Sequence, residues 1–176
     1  SRRMLLLLVA LFFLPLAVAF MAYYGGWRPE GSTNHGELLQ PIRQLPAAQA
    51  EPLAGKWALA YVGDGACDND CQTALVFARQ TRLSLAAETN RVKWVLFATD
   101  NCCNREYLDA AHKGIVVIDA AADRAALLGA LPAQDLRHSL FVIDPLGNIV
   151  LRYDVRNNPR GLLEDVKKLL KLSHIG

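Results

Sequence analysis

The sequence predicts an α/β domain, a mixed β-sheet flanked by helices, preceded by one N-terminal transmembrane helix. Three observations carry this. Met4 to Tyr24 contains no charged residue, and that run is about as long as a helix needs to cross a bilayer. After residue 56, short apolar runs alternate with helical patterns, the signature of parallel strands joined by helical crossovers. Near the C-terminus, Asp144-Pro145-Leu146-Gly147-Asn148 separates two strand-like runs, a turn signal that adds an antiparallel hairpin.

A chain of 176 residues has room for one ordinary domain and an anchor. The expected division is 1–24 anchor, 25–55 tether and entry segment, and 56–176 globular domain. A formal charge of +2, with no basic block and no acidic tail, gives no sign of nucleic acid binding. Arg2 and Arg3 flank the apolar run on its N-terminal side, which predicts a cytoplasmic N-terminus and an exported domain. Tyr23, Tyr24 and Trp27 would form the far interfacial belt. Ala17-Val18-Ala19 resembles a processing site, so a cleaved signal peptide is the rival reading. The run continues past Ala19 and is longer than a signal-peptide core, which favours the uncleaved anchor. In a bacterium this means a single-pass inner-membrane protein with a periplasmic domain, a compartment where dithiols are oxidised.

Between Gly25 and Gly55 lie Pro29, Pro41, Pro46 and Pro52, which argues against a long helix there. Asn34 to Leu39 reads as a turn leading into a short strand, with His35 facing solvent. Trp57–Val62 reads as a buried strand and Thr73–Ala87 as a helix. Val92–Phe97 is a second strand, Arg105–His112 a short helix, Ile115–Ile118 a third strand, and Asp123–Leu131 a helix stopped by Pro132. Ser139–Ile143 and Ile149–Tyr153 form the hairpin, with Asp144 and Asn148 shaping its turn. Pro159–Leu172 closes the chain as an amphipathic helix, with Pro159 suited to its first turn. His112 and His174 read as surface residues. This order of elements is thioredoxin-like.

The chemistry gathers around Cys67-Asp68-Asn69-Asp70-Cys71, which follows the first buried strand and a Gly-Asp-Gly turn. On a helix, positions i and i+4 share a face, so both sulfurs can meet one object, a disulfide partner or a metal. Two loops that follow parallel strands hold Cys67/Cys71 and Cys102/Cys103. The loop Leu136-Arg137-His138-Ser139 precedes an antiparallel strand and so lies at the same edge. Thioredoxin-like oxidoreductases usually carry a cis-proline there. The comparable position here is close to His138.

Gly55-Lys56-Trp57 through Val62, then Cys67-x-x-x-Cys71, then His138-Ser139 before a strand ending in Asp144-Pro145-x-Gly147, resembles the SCO/SenC family. The resemblance covers most of the exported domain, and the anchor fits it. It implies a membrane-anchored, thioredoxin-like protein that binds one copper ion, Cu(I) or Cu(II), through Cys67, Cys71 and His138. It also implies that the protein helps assemble a copper site of a haem-copper cytochrome oxidase, whose subunits would be its partners. Asp68 stands where the family often has proline. Acidic residues near the histidine are not obvious beyond Asp135, and Cys102 and Cys103 lie outside the family's pattern.

The donor set suits copper on chemical grounds, because thiolates are soft ligands for Cu(I) and imidazole serves either oxidation state. Structural zinc wants four protein ligands, and three are found. Asp68 and Asp70 favour holding a cation but raise the thiol pKa values, whereas a helix N-terminus lowers them. Alternatives stay open. Cys67 and Cys71 would make a structural disulfide, though a surface pair closing so short a loop is a poor staple. As a thiol-disulfide oxidoreductase, Cys67 would attack and Cys71 resolve, reducing the cysteine ligands of an oxidase copper site. As a structural partner, the protein would stay bound to the oxidase through its transmembrane helix. Metal handling ranks above enzymatic turnover. His138 as an ordinary strand-start residue is the bland alternative. Cys102 and Cys103 are most simply free thiols, with exchange with Cys67/Cys71 or extra copper ligation as other roles.

Overall fold

The computed structural model describes residues 1–26, 33–53, 55–173 and 175. Trp27, Pro29 and His174 lie outside these. The chain divides into two compact units, Ser1–Thr33 and Asn34–Gly176. The first is built on α1 (Arg2–Tyr24), a helix with Pro15 inside it and no buried residue. Its mean hydropathy reaches 2.8, and it is long and apolar enough to cross a membrane.

The second unit is a six-stranded mixed sheet flanked by helices. In chain order its elements are β1 (Glu37–Gln44), α2 (Ala47–Ala50), β2 (Trp57–Gly63), α3 (Asn69–Leu83), β3 (Val92–Ala98), α4 (Arg105–Ala111), β4 (Val116–Asp119), α5 (Arg124–Ala130), β5 (Ser139–Ile143), β6 (Asn148–Asp154) and α6 (Pro159–Leu172). The strand order is β1-β6-β5-β2-β3-β4. β2 is parallel to β3, and β3 to β4. β5 runs antiparallel to both β2 and β6.

Side chains alternate across a strand, and β2 supplies both halves of the core. Trp57, Leu59 and Tyr61 join Leu75 and Phe77 of α3 and Leu162 and Val166 of α6 on one face. Ala58, Ala60 and Val62 join Leu127 of α5 on the other. A strand buried on both faces reads as an unbroken apolar run, which is why Trp57–Val62 is so visible in sequence.

Residues 34–53, set apart by their prolines, supply an edge strand that pairs antiparallel with β6. The backbone N–H groups of His35 and Gly36 donate to the Asp165 carboxylate on α6, at 3.0 and 2.7 Å. The His35 ring faces solvent, as expected, and pairs with Glu164 at 3.0 Å. Asp144 shapes the hairpin turn, accepting from the backbone N–H groups of Leu146 and Asn148.

Two readings are corrected. The helix expected over 73–87 starts at Asn69, because Asp68 caps it, and stops at Leu83. A separate 3-10 helix then spans Ala86–Arg91. His112, read as a surface residue, is only 1% exposed. It sits at the C-terminal cap of α4, where the chain turns inward, and its Nε2 lies 3.1 Å from the Tyr107 hydroxyl. Burial, reinforced by the Arg79 charge, pushes its pKa down.

Candidate dithiol and metal site

The strand registers place three loops at one edge. Gly63 at the end of β2 is level with Ala98 at the end of β3. Tyr61 is level with Leu140 near the start of β5. The exits of β2 and β3 and the entry to β5 therefore meet.

The first loop turns on Asp64, whose carboxylate accepts from the Ala66 N–H at 2.8 Å. Cys67 follows in the left-handed region with φ 56°. Asp68 is the helix cap, and its Oδ1 accepts from the Cys71 N–H at 3.0 Å. Such a cap satisfies one of the unpaired donors at a helix start. Cys67 is therefore not on the helix. It lies just before the cap, and Cys71 sits in the first turn. The Cys67 carbonyl accepts from the Gln72 side chain at 3.1 Å.

Cys67 and Cys71, read as metal ligands, are joined in a disulfide, the arrangement the sequence left as an alternative. They are also not a surface pair, because they are 2% and 1% exposed and belong to the core half that holds Leu75. The left-handed turn at Cys67 folds its side chain back under the first turn of α3, which brings the two sulfurs together.

The second loop, after β3, is stitched to the first through its backbone. The Thr99 N–H donates to the Gly63 carbonyl, Gly65 N–H to Asp100, and Asn104 N–H to Gly65, each at 2.8 Å. The Asn101 side chain donates to Asp64 at 2.8 Å. A Cβ on Gly65 would stand 2.8 Å from the Cys102 Cα and 2.9 Å from the Asn101 carbonyl oxygen. Only glycine lets the two backbones touch there. Cys102 and Cys103, read most simply as free thiols, form a disulfide across a cis peptide bond. Cys102 is exposed, and Cys103 is half-buried against the core half that contains Cys67 and Cys71.

The third loop carries His138. Its Nδ1 lies 2.7 Å from Asp135 Oδ2, and its Nε2 lies 3.8 Å from Asp70 Oδ1. Arg137 reaches across to α3, to Asp68 at 3.1 Å and Asp70 at 3.2 Å. The hydrogen bond with His138 holds the Asp135 carboxyl below its usual range. The Cys71 N–H first, and then Arg137, do the same for Asp68. Tyr61 lies beneath this cluster. Burial first, and then the charges of Asp68 and Asp70, push its hydroxyl up to about 12. A cavity of about 340 Å³ opens beside the cluster, lined by Tyr61, Asp68, Asp100, Arg124 and Arg137.

The structure thus brings His138 to Asp70, which lies between the two cysteines. In this disulfide form, no group of three or more His, Cys, Asp or Glu side chains among the described residues is arranged to hold a metal. The acidic partners that seemed scarce near His138 come from α3, across the edge. Asp68 and Asp70, read as surplus charge favouring a cation, are already paired with Arg137. Two signals for this were available in the sequence: Asp68 in cap position three residues before Cys71, and an arginine directly before His138. The loop before β5 lacks the cis-proline of oxidoreductases. Among the described residues the one cis-proline bond is Gln40–Pro41, on β1.

Comparison with known proteins fixes the family. Residues 57–173 match the model of the transmembrane-like, thioredoxin-like, C-terminal domain. The chain belongs to that family. Among solved structures, the domain resembles apo Sco1 from Thermus thermophilus at 19% identity, covering 80% of this chain and 99% of that one, with a TM-score of 0.60. Copper-bound yeast Sco1 matches at 16% identity over 80% and 95%, with a TM-score of 0.57. Copper-bound ScoI from Bradyrhizobium japonicum matches at 16% identity over 76% and 98%, with a TM-score of 0.52. The fold is therefore the thioredoxin-like fold of the SCO/SenC proteins. No curated protein matches the chain.

Proposed function

We propose that this protein is a membrane-anchored copper-handling factor that helps assemble a copper site of a haem-copper cytochrome oxidase, and that its domain is periplasmic. Cys67, Cys71 and His138 would hold the metal as cargo once the disulfide is reduced. The observation that carries this reading is the position of His138. Its Nδ1 is held by Asp135, and its Nε2 faces Asp70, which lies between the two cysteines in the chain. A carboxylate on one ring nitrogen fixes the tautomer and leaves the other nitrogen as a ligand.

Reduction consumes two electrons and two protons and exchanges a disulfide for two thiols. Metal binding then releases the thiol protons. Two thiolates, one imidazole and Cu(I) carry a net charge of about −1, and Cu(II) brings the sum near zero. Arg137 already balances Asp68 and Asp70, so the acidic pair adds little to this sum. The shared fold of the copper-bound Sco proteins and the apolar helix α1 agree with this role. The oxidase partner rests on the sequence resemblance.

The test uses the full chain in detergent, reduced, loaded anaerobically with Cu(I) or Cu(II), and stripped of excess metal. About one copper per chain is expected, with a thiolate-to-Cu(II) absorption band lost in Cys67→Ser and altered in His138→Ala. No retained copper at any protein concentration sinks the reading.

The Cys67–Cys71 disulfide favours a second reading, a thiol-disulfide oxidoreductase acting on the cysteine ligands of an oxidase copper site. Disulfide reduction that survives His138→Ala but is abolished by Cys67→Ser or Cys71→Ser would place this reading first.

A further inference from the structure

The four cysteines form two disulfides of opposite exposure on loops that share a backbone seam. Cys67 and Cys71 are buried at 2% and 1%, so a protein reductant has no direct approach to either sulfur. Cys102 is exposed, and Cys103 reaches the core half that contains the buried pair. Besides the Gly63–Thr99, Gly65–Asp100 and Gly65–Asn104 bonds, the Asn104 side chain donates to the Ala66 carbonyl at 3.4 Å, one residue before Cys67. Neither pair is a useful staple. One encloses three residues and the other none, and loops that short restrict the unfolded chain little. Two disulfides that do little for stability therefore stand side by side, one outside and one inside, on loops held together by their backbones.

We propose that Cys102–Cys103 is a redox-active entry site that accepts an electron pair from a protein dithiol and passes it to Cys67–Cys71. A donor thiolate attacks Cys102 Sγ, forming a mixed disulfide and releasing Cys103 as thiolate. The second donor thiolate attacks the donor sulfur of that mixed disulfide, so the donor leaves oxidised and Cys102 leaves as thiolate. Cys103 then attacks Cys67 Sγ. A Cys67–Cys103 bond forms across the loops, and Cys71 departs as thiolate. Cys102 attacks Cys103 Sγ, restoring Cys102–Cys103 and freeing Cys67. The sum is one donor dithiol oxidised and one Cys67–Cys71 disulfide reduced, with two electrons and two protons transferred. Each step is thiolate attack on a disulfide sulfur, whose rate follows thiolate fraction and access. The relay rests on the reading that the buried pair works in its reduced form, but its test counts thiols and not copper.

The experiment compares the full chain with Cys102→Ser/Cys103→Ser in detergent. Each is treated with a thioredoxin-type dithiol protein or with a small phosphine, and the thiols appearing at Cys67 and Cys71 are quantified by alkylation and mass spectrometry. The dithiol protein should reduce the buried pair at least ~10-fold more slowly in the variant, while the phosphine rate changes less than about twofold, since only the bulky donor depends on the entry site. A second variant, Cys71→Ser/Cys102→Ser, leaves Cys67 and Cys103 as the remaining cysteines, and mild oxidation should join them. Equal rates with the dithiol protein overturn the relay, as does a Cys71→Ser/Cys102→Ser chain that forms no Cys67–Cys103 bond. Failure of copper binding with the relay intact would instead remove only the metal reading.

Discussion

Asp68 stands immediately after the first cysteine, and replacing it tests how the site is built. Its Oδ1 caps α3 through the Cys71 N–H, and its Oδ2 meets Arg137. Asp68→Ala removes both contacts, whereas Asp68→Asn keeps a capping oxygen and loses the charge. An N-cap carboxylate replaced by alanine costs about 1 kcal/mol, within a range of roughly 0.5–2, and asparagine caps as well as aspartate. The Arg137 pair is solvent-exposed on both sides, so it adds little to stability and weakens with salt. Asp68→Ala should therefore lower stability by about 1 kcal/mol, and Asp68→Asn by much less. For a unit of this size each kcal/mol moves Tm by roughly 3–5 °C. Denaturation of residues 34–176, with the disulfides intact and again reduced, reads the difference. The gap between wild type and Asp68→Ala also carries a pH signature. Asp68 is held below its ordinary value, so its contribution is full above the unfolded pKa near 4 and fades as pH falls through the lower folded value. If Asp68→Ala and Asp68→Asn coincide within a few tenths of a kcal/mol, or the gap between wild type and Asp68→Ala grows in acid, the capping argument is refuted.

Three further outcomes are expected. Gly65→Ala sets a methyl against the backbone of Cys102 and Asn101, and overpacking of this kind costs about 1–3 kcal/mol in urea unfolding. Asp135→Ala frees the His138 ring and should weaken copper retention by the reduced chain about 10–100-fold, the usual loss when a supporting carboxylate is removed; copper competition against a chelator of known affinity measures it. The buried His112 has a folded pKa below its unfolded value near 6.5. Stability is therefore complete above that value and falls as pH drops from about 6.5 toward the folded pKa. His112→Gln should flatten that slope in pH-dependent unfolding.

The sheet was legible because its central strands are buried on both faces and so print as unbroken apolar runs, as Trp57–Val62 does. The hairpin was legible from Asp144 and Gly147, whose chemistry is local. The convergence of Cys67, Cys71 and His138 on one edge followed from strand direction alone. What stayed hidden depends on backbone torsion and through-space pairing. Cys67 in a left-handed turn looks in sequence like any residue preceding a helix. The neutralisation of Asp68 and Asp70 by Arg137 spans more than sixty positions. His112 reads as polar and exposed until the turn after α4 carries it inward beside Tyr107. The short strand read after the turn at Asn34 runs on through Pro41 to Gln44, a length the prolines hid, because an edge strand tolerates proline where one side of it needs no partner.

The strands that aim the cysteines and the histidine are also the ones water reaches least. β2, β3 and β5 are buried almost throughout, whereas β1 is largely open to solvent and β4 is half-buried. Local opening begins where few apolar contacts hold the backbone. Amide exchange should therefore be fastest along the two outer strands and slowest along the central three. The sulfur exchange and metal entry proposed for the loops above that frame would leave the ladders beneath them closed, so repeated cycles of such chemistry would not bring the domain near unfolding.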